Sequence, residues 1–248
     1  MSNKIKKVRL DLLLVDRDIC QTRERARALI MSGAVLVGDT KIDKAGTLIS
    51  PGAEIRIEGE DNPYVSRGGL KLKGALTALG INVRDLVVLD VGASTGGFTD
   101  CLLQEGARRV YAIDVGYGQL AWKLRTDERV VNLERTNIRY FEGSVIKDSI
   151  DMATIDASFI SLKLVIPAVL RLVKKNDAIM LALIKPQFEA GRGEVEKHGV
   201  IRNLEVHKKV IEGIKKFSIE LGLSVIGVCE SPLMGPKGNR EFFIYLKT

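Results

Sequence analysis

The sequence predicts an α/β protein built on a mainly parallel sheet of seven strands, with helices on both faces and an antiparallel last strand. Three observations predict this fold. Apolar runs of strand length alternate with helical patterns, a glycine-rich turn follows the first run, and a short turn-forming segment, residues 231–240, precedes the last run. A small α+β block precedes the sheet and is predicted to be a separate domain.

The strands of the sheet are predicted from β-branched and apolar runs. Helical patterns such as "GGFTDCLLQEG", "LKLVIPAVLRLVKK" (162–175) and "LEVHKKVIEGIKKFSIELG" separate most of them, which indicates parallel pairing with both faces covered. The segment "SPLMGPKGNR" is too short for a parallel crossover, so the last strand is expected to run antiparallel. The predicted strands span residues 86–91, 109–114, 129–134, 150–156, 178–185, 223–230 and 241–247.

The composition favours a globular protein with a polyanionic partner. Lys and Arg total 38 against 31 Asp and Glu, a formal net charge of +7, which favours nucleic acid over a membrane surface. The three cysteines, Cys20, Cys101 and Cys229, form no Cys-x-x-Cys pair and there are two histidines, so no metal site is expected. The cysteines are predicted to be free thiols in a reducing cytosol.

No segment of the sequence is expected to enter or cross a membrane. The basic N-terminal stretch contains one short apolar run, Leu12 to Val15, which is too short for a signal peptide. No uncharged apolar stretch approaches the ~18 residues of a transmembrane helix. The protein is therefore predicted to be cytoplasmic, without stable membrane association, and its oligomeric state stays open.

A change in composition predicts a domain boundary at "GEDNPYVS", residues 59–66, because this stretch is polar and rich in turn formers. Residues 1–59 are predicted to form the small domain and residues 60–66 the linker. Residues 67–248 are predicted to form the larger α/β domain. The small domain is short for an independent fold but long enough for a binding module.

Two short helices and a hairpin are predicted in the small domain. Thr22 is predicted to cap the second helix, "RERARALI", and the hairpin is predicted to turn at Gly38 and Asp39. Arginines, Arg23 and Arg27 among them, crowd the first two turns of that helix, where positive charge opposes the helix macrodipole. A partner that carries phosphates explains them, and a solvated basic helix face is the alternative.

The small domain resembles the RNA-binding module named after ribosomal protein S-four, which carries the alpha-L motif. The pattern Arg-Leu-Asp, then Thr/Ser-Arg-x-x-Ala-Arg-x-Leu-Ile-x-x-Gly-x-Val-x-Val, matches residues 9–11 and 22–37. The resemblance implies that the second helix faces structured RNA. The predicted RNA-binding residues are Arg9, Thr22, Arg23, Arg27 and Lys41, together with Arg67 at the start of the larger domain.

The first strand of the larger domain runs into a glycine-rich turn, "LDVGASTGGFTD" (89–100). A nicotinamide-binding turn needs Gly-x-Gly-x-x-Gly, but these glycines stand at 92, 96 and 97, and no Gly-Lys-Ser/Thr of a phosphate-binding loop follows. S-adenosylmethionine has a ribose and an adenine but no phosphate, and Asp114 at the end of the second strand is predicted to accept its ribose hydroxyls. The alternative is that the glycines form only a tight turn.

The glycine turn, Asp114 and the reversed last strand together resemble a class I (Rossmann-like) methyltransferase. The resemblance implies S-adenosylmethionine as the cofactor, with "DVGYGQLAW" beside the adenosine and Asn137 of "ERTN" at the adenine edge. Trp122 is predicted to pack in the fold rather than to stack on a base. The predicted cofactor-binding residues are Asp90, Gly92, Ala93, Ser94, Thr95, Gly96, Gly97, Phe98, Asp114, Val115, Asn137 and Asp156.

Charged residues are predicted at the strand ends that form the ligand crevice of a parallel sheet. Asp156 ends the fourth strand, Lys185 ends the fifth, and Glu241 opens the reversed last strand at the same edge. The sequence lacks the Asn/Asp-Pro-Pro-Tyr and Pro-Cys motifs of methylation at amino groups and pyrimidine carbon. A ribose 2′-hydroxyl is a weak acid, and a lysine suits its deprotonation or the charge that develops on its oxygen. The alternative is an ordinary ion-pair network.

The larger domain resembles the FtsJ-like ribose 2′-O-methyltransferases, which carry a Lys-Asp-Lys-Glu tetrad in that chain order. Lys71, Asp156, Lys185 and Glu241 match the tetrad, and "SRGGLKL", "SFISL", "KPQFE" and "GNREFF" extend the match. With the small domain, the whole chain resembles the TlyA family, labelled haemolysins but acting as rRNA cytidine 2′-O-methyltransferases. The resemblance implies that Lys185 is the base or oxyanion stabiliser, that Lys71 is its cationic neighbour, and that the two acids orient the lysines.

The expected function is therefore S-adenosylmethionine-dependent 2′-O-methylation of ribose, with cytidine as the expected nucleoside, in ribosomal RNA or ribosomal subunits. Two other classes stay open: a membrane-active haemolysin and a non-catalytic RNA-binding factor of ribosome assembly. The absence of a membrane span disfavours the first, and the intact tetrad and glycine turn disfavour the second. Residues 189–203 resemble a mobile loop that closes over RNA, and a surface loop is the alternative.

Overall fold

The computed structural model describes residues 7–20, 22–57, 62–191, 193–195 and 199–248. Contacts divide the chain into two compact units, residues 1–65 and 66–248. Part of the predicted linker, residues 60 and 61, lies outside the described residues. The division between the units falls at the C-terminal end of that linker.

The first unit is a small α+β fold. Its two helices pack around buried Leu10, Leu14 and Ile30, and its three-stranded sheet pairs antiparallel, with the hairpin turning at Gly38 (φ +60°) as predicted. The second helix begins after Thr22, whose Oγ1 accepts a hydrogen bond from the Arg25 backbone N–H at 3.2 Å. The elements are β1 (Val8–Arg9), α1 (Leu10–Asp16), α2 (Arg23–Met31), β2 (Val35–Val37), β3 (Thr40–Ile42), β4 (Leu48–Ile49) and β5 (Ile55–Ile57).

The second unit contains the predicted seven-stranded sheet. In chain order its helices and strands are α3 (Arg67–Ala78), β6 (Val87–Val91), α4 (Gly97–Gln104), β7 (Arg109–Ile113), α5 (Trp122–Arg125), β8 (Val130–Leu133), β9 (Met152–Ile155), α6 (Leu162–Leu170), β10 (Ile179–Ile184), α7 (Pro186–Glu189), α8 (Leu204–Glu220), β11 (Ser224–Glu230) and β12 (Phe242–Lys247). Short 3₁₀ turns form at Ile138–Tyr140 and Pro236–Gly238.

The strand order across the sheet is β11-β12-β10-β9-β6-β7-β8. Strands β8, β7, β6, β9 and β10 pair parallel, while β12 pairs antiparallel with both β10 and β11. The prediction of a reversed last strand is therefore confirmed. The strand order changes direction between β6 and β9, and the carboxyl ends of these two strands open the crevice where doubly wound sheets bind ligands.

The core explains why the central strands are continuous apolar runs. Every residue of β6 and β9 is buried, because helices cover both faces of a parallel sheet. The helical pattern predicted over residues 162–175 is too long, since α6 ends at Leu170. Beyond it, Val173 is buried and forms an isolated parallel bridge with Ile150, which draws the chain out of the helix.

No helix in the described part of the chain is both long and apolar enough to cross a membrane.

Candidate active site at the carboxyl edge of the sheet

The turn after β6 takes a backbone path that requires glycine at two positions. Gly92 has φ +86° and Gly96 has φ +95°, in the left-handed region that other residues avoid. A Cβ on Gly92 would lie 2.7 Å from the backbone oxygen of Asp156, and one on Gly96 would lie 2.2 Å from Leu124 Cδ1. The turn therefore packs against the end of β9 on one side and against α5 on the other.

Asp114, at the end of β7, ties this turn to the next loop. Its carboxylate accepts hydrogen bonds from the Ser94 backbone N–H at 2.7 Å and from the Gly116 backbone N–H at 2.7 Å. The carboxylate is half-buried and each oxygen keeps further acceptor capacity. This position beside the turn is compatible with the predicted contact to ribose hydroxyls, which stays a prediction.

A cavity of about 440 Å³ opens over the glycine turn, a size within the range of small-molecule sites. The cavity lies within the second unit, between the N-terminal end of α3, the turn after β6 and the segment before β12. It is lined by Ser66, Arg67, Gly68, Lys71, Gly92, Ala93, Ser94, Thr95, Gly97, Phe98, Asp156, Met234 and Gly235.

Most of the predicted cofactor-binding residues of the turn line this cavity, and so does Arg67, which was predicted to contact RNA. Val115 is exposed beyond it, and the Asn137 side chain accepts a hydrogen bond from the Arg139 backbone N–H at 3.1 Å, capping a 3₁₀ turn. Trp122 is 72% exposed, so the prediction that it packs in the fold is wrong. Trp122 is the first residue of α5, and of this helix only Leu124 is buried.

Asp90 lies beneath the turn and is completely buried. Its carboxylate accepts hydrogen bonds from Thr99 Oγ1 at 2.7 Å and from Thr154 Oγ1 at 2.9 Å. Burial raises the pKa of Asp90 to about 6, against the two threonine hydrogen bonds that lower it, and the charge of Asp156 raises it further. Asp90 therefore does not line the cavity, and at neutral pH it places a buried negative charge beneath the turn.

Four charged side chains form two ion pairs, and one member of each pair, Lys71 or Asp156, lines the cavity. Lys71 Nζ lies 2.6 Å from Glu241 Oε2, and Lys185 Nζ lies 2.6 Å from Asp156 Oδ1. Lys71 comes from the second turn of α3, Asp156 and Lys185 follow β9 and β10, and Glu241 precedes β12. Because β12 runs antiparallel, with Phe242 opposite Ile184, its first residues reach the edge where the parallel strands end.

The burial of these groups differs from that of an ordinary surface network. Lys71, Lys185 and Glu241 are each less than a tenth exposed, and Gly235 leaves room for Glu241, since a Cβ there would lie 2.0 Å from Oε1. Among the described residues, Glu241 Oε1 has no hydrogen-bond donor. A buried acceptor of this kind is costly unless a ligand satisfies it.

Sequence reasoning missed one residue of this cluster, Ser158. Ser158 lies two residues after Asp156, and its Oγ accepts a hydrogen bond from Lys185 Nζ at 2.8 Å. The signal lies in "SFISL", whose first serine is Ser158.

The predicted RNA-binding residues of the first unit lie on its surface, and three of them are also structural. Arg9 Nε and Arg23 Nε each donate to the buried carboxylate of Asp11 at 2.9 Å, and Thr22 caps α2. The hydrogen bonds from Arg9, followed by those from Arg23, lower the pKa of Asp11 to about 2, although burial opposes the shift. Arg27 and Lys41 are exposed, and RNA contact by this set stays a prediction.

The structure describes the predicted mobile loop only in part, and it gives His207 a place in the core. Residues 192 and 196–198 of the predicted mobile loop lie outside the described residues. His207 is buried, with Nε2 3.0 Å from the Ile201 carbonyl oxygen and its ring edge-on to Phe242. In the described part of the chain, no group of His, Cys, Asp and Glu side chains could hold a metal ion.

Comparison with protein families gives two matches that together span nearly the whole chain. Residues 64–248 match the FtsJ-like methyltransferase family, and residues 8–55 match the S4 domain.

Two curated relatives resemble the chain over almost its full length. The 16S/23S rRNA (cytidine-2′-O)-methyltransferase TlyA of Mycobacterium tuberculosis is 42% identical, over 98% of this chain and 91% of that protein. YqxC of Bacillus subtilis, provisionally named an rRNA methyltransferase, is 48% identical, over 97% of this chain and 86% of that protein.

Two solved structures resemble the chain in fold. A Streptococcus thermophilus protein, provisionally described as a hemolysin, is 43% identical with a TM-score of 0.78, covering 98% of this chain and 89% of that chain. Aeropyrum pernix fibrillarin in complex with S-adenosyl-L-methionine is 19% identical with a TM-score of 0.52, covering 79% of each chain. The second likeness shows the fold alone.

Proposed function

The chain belongs to the FtsJ-like methyltransferase family, and from this premise we propose that it transfers a methyl group from S-adenosylmethionine to a ribose 2′-hydroxyl of ribosomal RNA, with cytidine as the acceptor nucleoside. The observation that carries the proposal is the pair of buried ion pairs, Lys71–Glu241 and Lys185–Asp156, at the side of the cavity over the glycine turn. The named activity of the similar M. tuberculosis protein supports the choice of acceptor.

The residues around the cavity fit S-adenosylmethionine. Gly92 and Gly97 carry no side chain that would fill the turn, and the turn has neither the Gly-x-Gly-x-x-Gly spacing nor the Gly-Lys-Ser/Thr of the phosphate-binding turns. Ser94, Thr95 and Asp114 supply polar groups around it, and the buried charge of Asp90 lies beneath it. When bound, the cofactor supplies an electrophilic methyl group on a cationic sulfur.

The lysines act on the acceptor oxygen. Transfer forms a bond between the methyl carbon and the ribose 2′-oxygen, breaks the bond from that carbon to sulfur, and releases the 2′-hydroxyl proton. Lys185 Nζ takes this proton when neutral or, as an ammonium, stabilises the negative charge that develops on the oxygen. Asp156 fixes Lys185, Glu241 fixes Lys71, and Lys71 adds positive charge in the lining of the cavity.

The first unit supplies RNA binding. It matches the S4 domain, and Arg9, Arg23, Arg27 and Lys41 are exposed on its surface. The formal net charge of +7 favours a polyanion. We propose that this unit anchors ribosomal RNA or a ribosomal subunit while the second unit methylates it, in the cytoplasm.

The test is transfer of labelled methyl from S-adenosylmethionine to unmodified small and large ribosomal subunits and to naked rRNA, followed by nucleoside analysis. The wild-type chain is expected to produce 2′-O-methylcytidine. Lys185→Ala is expected to lose transfer while keeping cofactor binding, because the lysine acts on the acceptor oxygen. Lys208→Ala, which removes a lysine of an exposed ion pair on α8, is the matched control and should stay active.

Three results would refute the proposal. Cofactor binding without transfer to any of the three acceptors would indicate a non-catalytic assembly factor. Leakage of dye from phospholipid vesicles in the absence of any transfer would indicate a membrane-active protein. Methyl on a base nitrogen or carbon rather than on ribose would contradict the assignment of Lys185.

A further inference from the structure

The ammonium group of Lys185 has two protein partners of different kinds. Its Nζ lies 2.6 Å from Asp156 Oδ1, but this oxygen has no aligned hydrogen bond among the described residues, so the contact is one of charge. The aligned hydrogen bond from Nζ goes to Ser158 Oγ at 2.8 Å. The direction of the Lys185 head group is therefore set by the serine, since hydrogen bonds depend on angle more strongly than charge contacts do.

The loop that carries Ser158 is fixed in place by the segment that carries Lys185. Phe159 has φ +63°, a strained value for a bulky residue, and its ring packs on Phe188 with centroids 5.0 Å apart. Glu189 accepts hydrogen bonds from Ser161 Oγ at 2.5 Å and from the Leu162 backbone N–H at 2.7 Å. These contacts hold the loops after β9 and β10 side by side, so the Ser158 hydroxyl is presented to Lys185 by a fixed backbone.

We propose that Ser158 is a positioning residue for methyl transfer, which aims Lys185 Nζ at the acceptor oxygen. The proposal rests on the function proposed above. A lysine ammonium has three N–H groups. Ser158 accepts one N–H and the Asp156 carboxylate lies against Nζ as a charge contact, so a further N–H of the ammonium, or the lone pair of the amine, is left for the ribose 2′-hydroxyl.

The hydroxyl suits this task better than a second carboxylate. It accepts a hydrogen bond from Lys185 in both protonation states of the lysine and adds no charge. Without it, Nζ is held by Asp156 alone and can rotate toward that carboxylate. Ser158 itself is exposed, so it does not contribute to the buried core, and its role is separable from folding.

The experiment compares Ser158→Ala and Ser158→Thr with wild type. Single-turnover rates are measured with saturating S-adenosylmethionine and the ribosomal acceptor, together with the KM for the acceptor and the cofactor Kd. Ser158→Ala is expected to lower the rate about tenfold, the effect of one lost hydrogen bond on a positioned group, with KM and Kd unchanged. Ser158→Thr keeps the hydroxyl and is expected to restore the rate to within about twofold.

Ser224→Ala, the same substitution at an exposed position at the start of β11, is the control and is expected to match wild type. A Ser158→Ala rate within about twofold of wild type would overturn the proposal, as would an equal loss in Ser158→Thr. A loss accompanied by weaker cofactor binding or a lower Tm would also overturn it, because it would indicate a structural role. If the wild-type chain transfers no methyl, the proposed function fails and the assignment of Ser158 fails with it, whereas an active wild type with an unimpaired Ser158→Ala refutes the assignment alone.

Discussion

Replacement of Asp90 by Asn is expected to stabilise the second unit at neutral pH. Asp90 is completely buried, with Thr99 and Thr154 as its hydrogen-bond donors. An asparagine has the same shape, keeps one acceptor oxygen, and can donate from its amide to a threonine oxygen. The substitution therefore removes a buried charge while the packing stays nearly the same.

The pKa of Asp90 gives the magnitude. Burial raises this pKa from an ordinary 3.8 to about 6, so the folded state binds the proton more tightly than the unfolded state. The corresponding stability is fully present below the unfolded pKa and is lost as the pH rises through the folded one. At about 1.4 kcal/mol per unit of pKa, the loss reaches about 3 kcal/mol at neutral pH.

The assay is urea unfolding of wild type and Asp90→Asn at several pH values between about 4 and 8, followed by circular dichroism. The difference in unfolding free energy between the two proteins isolates this one carboxyl. It is expected to grow in favour of Asp90→Asn by about 2–3 kcal/mol between pH 4 and pH 7 and then level off. Gly213→Ala, which changes no titratable group and meets nothing within 4 Å, is the control and should show no such trend.

The reasoning would be refuted by a difference that does not change with pH, or that favours wild type more strongly as the pH rises. The first result would mean that Asp90 titrates in the folded chain as it does in the unfolded one. The second would mean that its hydrogen bonds outweigh the cost of burial. We also expect Asp90→Asn to weaken the binding of S-adenosylmethionine, whose cationic sulfur is attracted by the lost charge, and isothermal titration measures that change.

Three further substitutions test other parts of the structure. Gly92→Ala places a Cβ 2.7 Å from the Asp156 carbonyl oxygen at φ +86° and is expected to abolish cofactor binding. Its control, Gly80→Ala, lies at φ +63° with open space and should cost about 1 kcal/mol of stability while keeping the cofactor Kd. Equal Kd values for the two variants would contradict the role of the turn. Gly235→Ala is expected to push Glu241 away from Lys71 and to lower the methyl-transfer rate at least about tenfold, while Gly213→Ala in α8 should raise stability by about 0.5–1 kcal/mol and leave the rate unchanged. Thr22→Ala removes the cap of α2 and is expected to lower the stability of this helix by about 1 kcal/mol. The loss is measured as faster hydrogen exchange at the Arg25 amide, and unchanged exchange would show that the cap does not hold the helix.

The sequence predicted those features of the fold that depend on local chemistry. Strand and helix periods, the Thr22 cap and the turn at Gly38 are set by neighbouring residues, and the structure has each of them. The reversal of the last strand also followed from a local quantity, the length of segment 231–240. The strand directions alone place Asp156, Lys185 and Glu241 at the same edge of the sheet.

The tertiary structure decided how the site residues pair and which of them are buried. Lys71 and Glu241 are 170 positions apart and become neighbours because β12 inserts between β10 and β11, a pairing that no local pattern encodes. Packing alone buries Asp90 beneath the turn, leaves Trp122 exposed, and aligns Ser158 with Lys185. The physical reason is that sequence period and turn chemistry determine which helix, strand or turn carries a side chain. Its partner, its exposure and its charge state depend on the segments that fold against it.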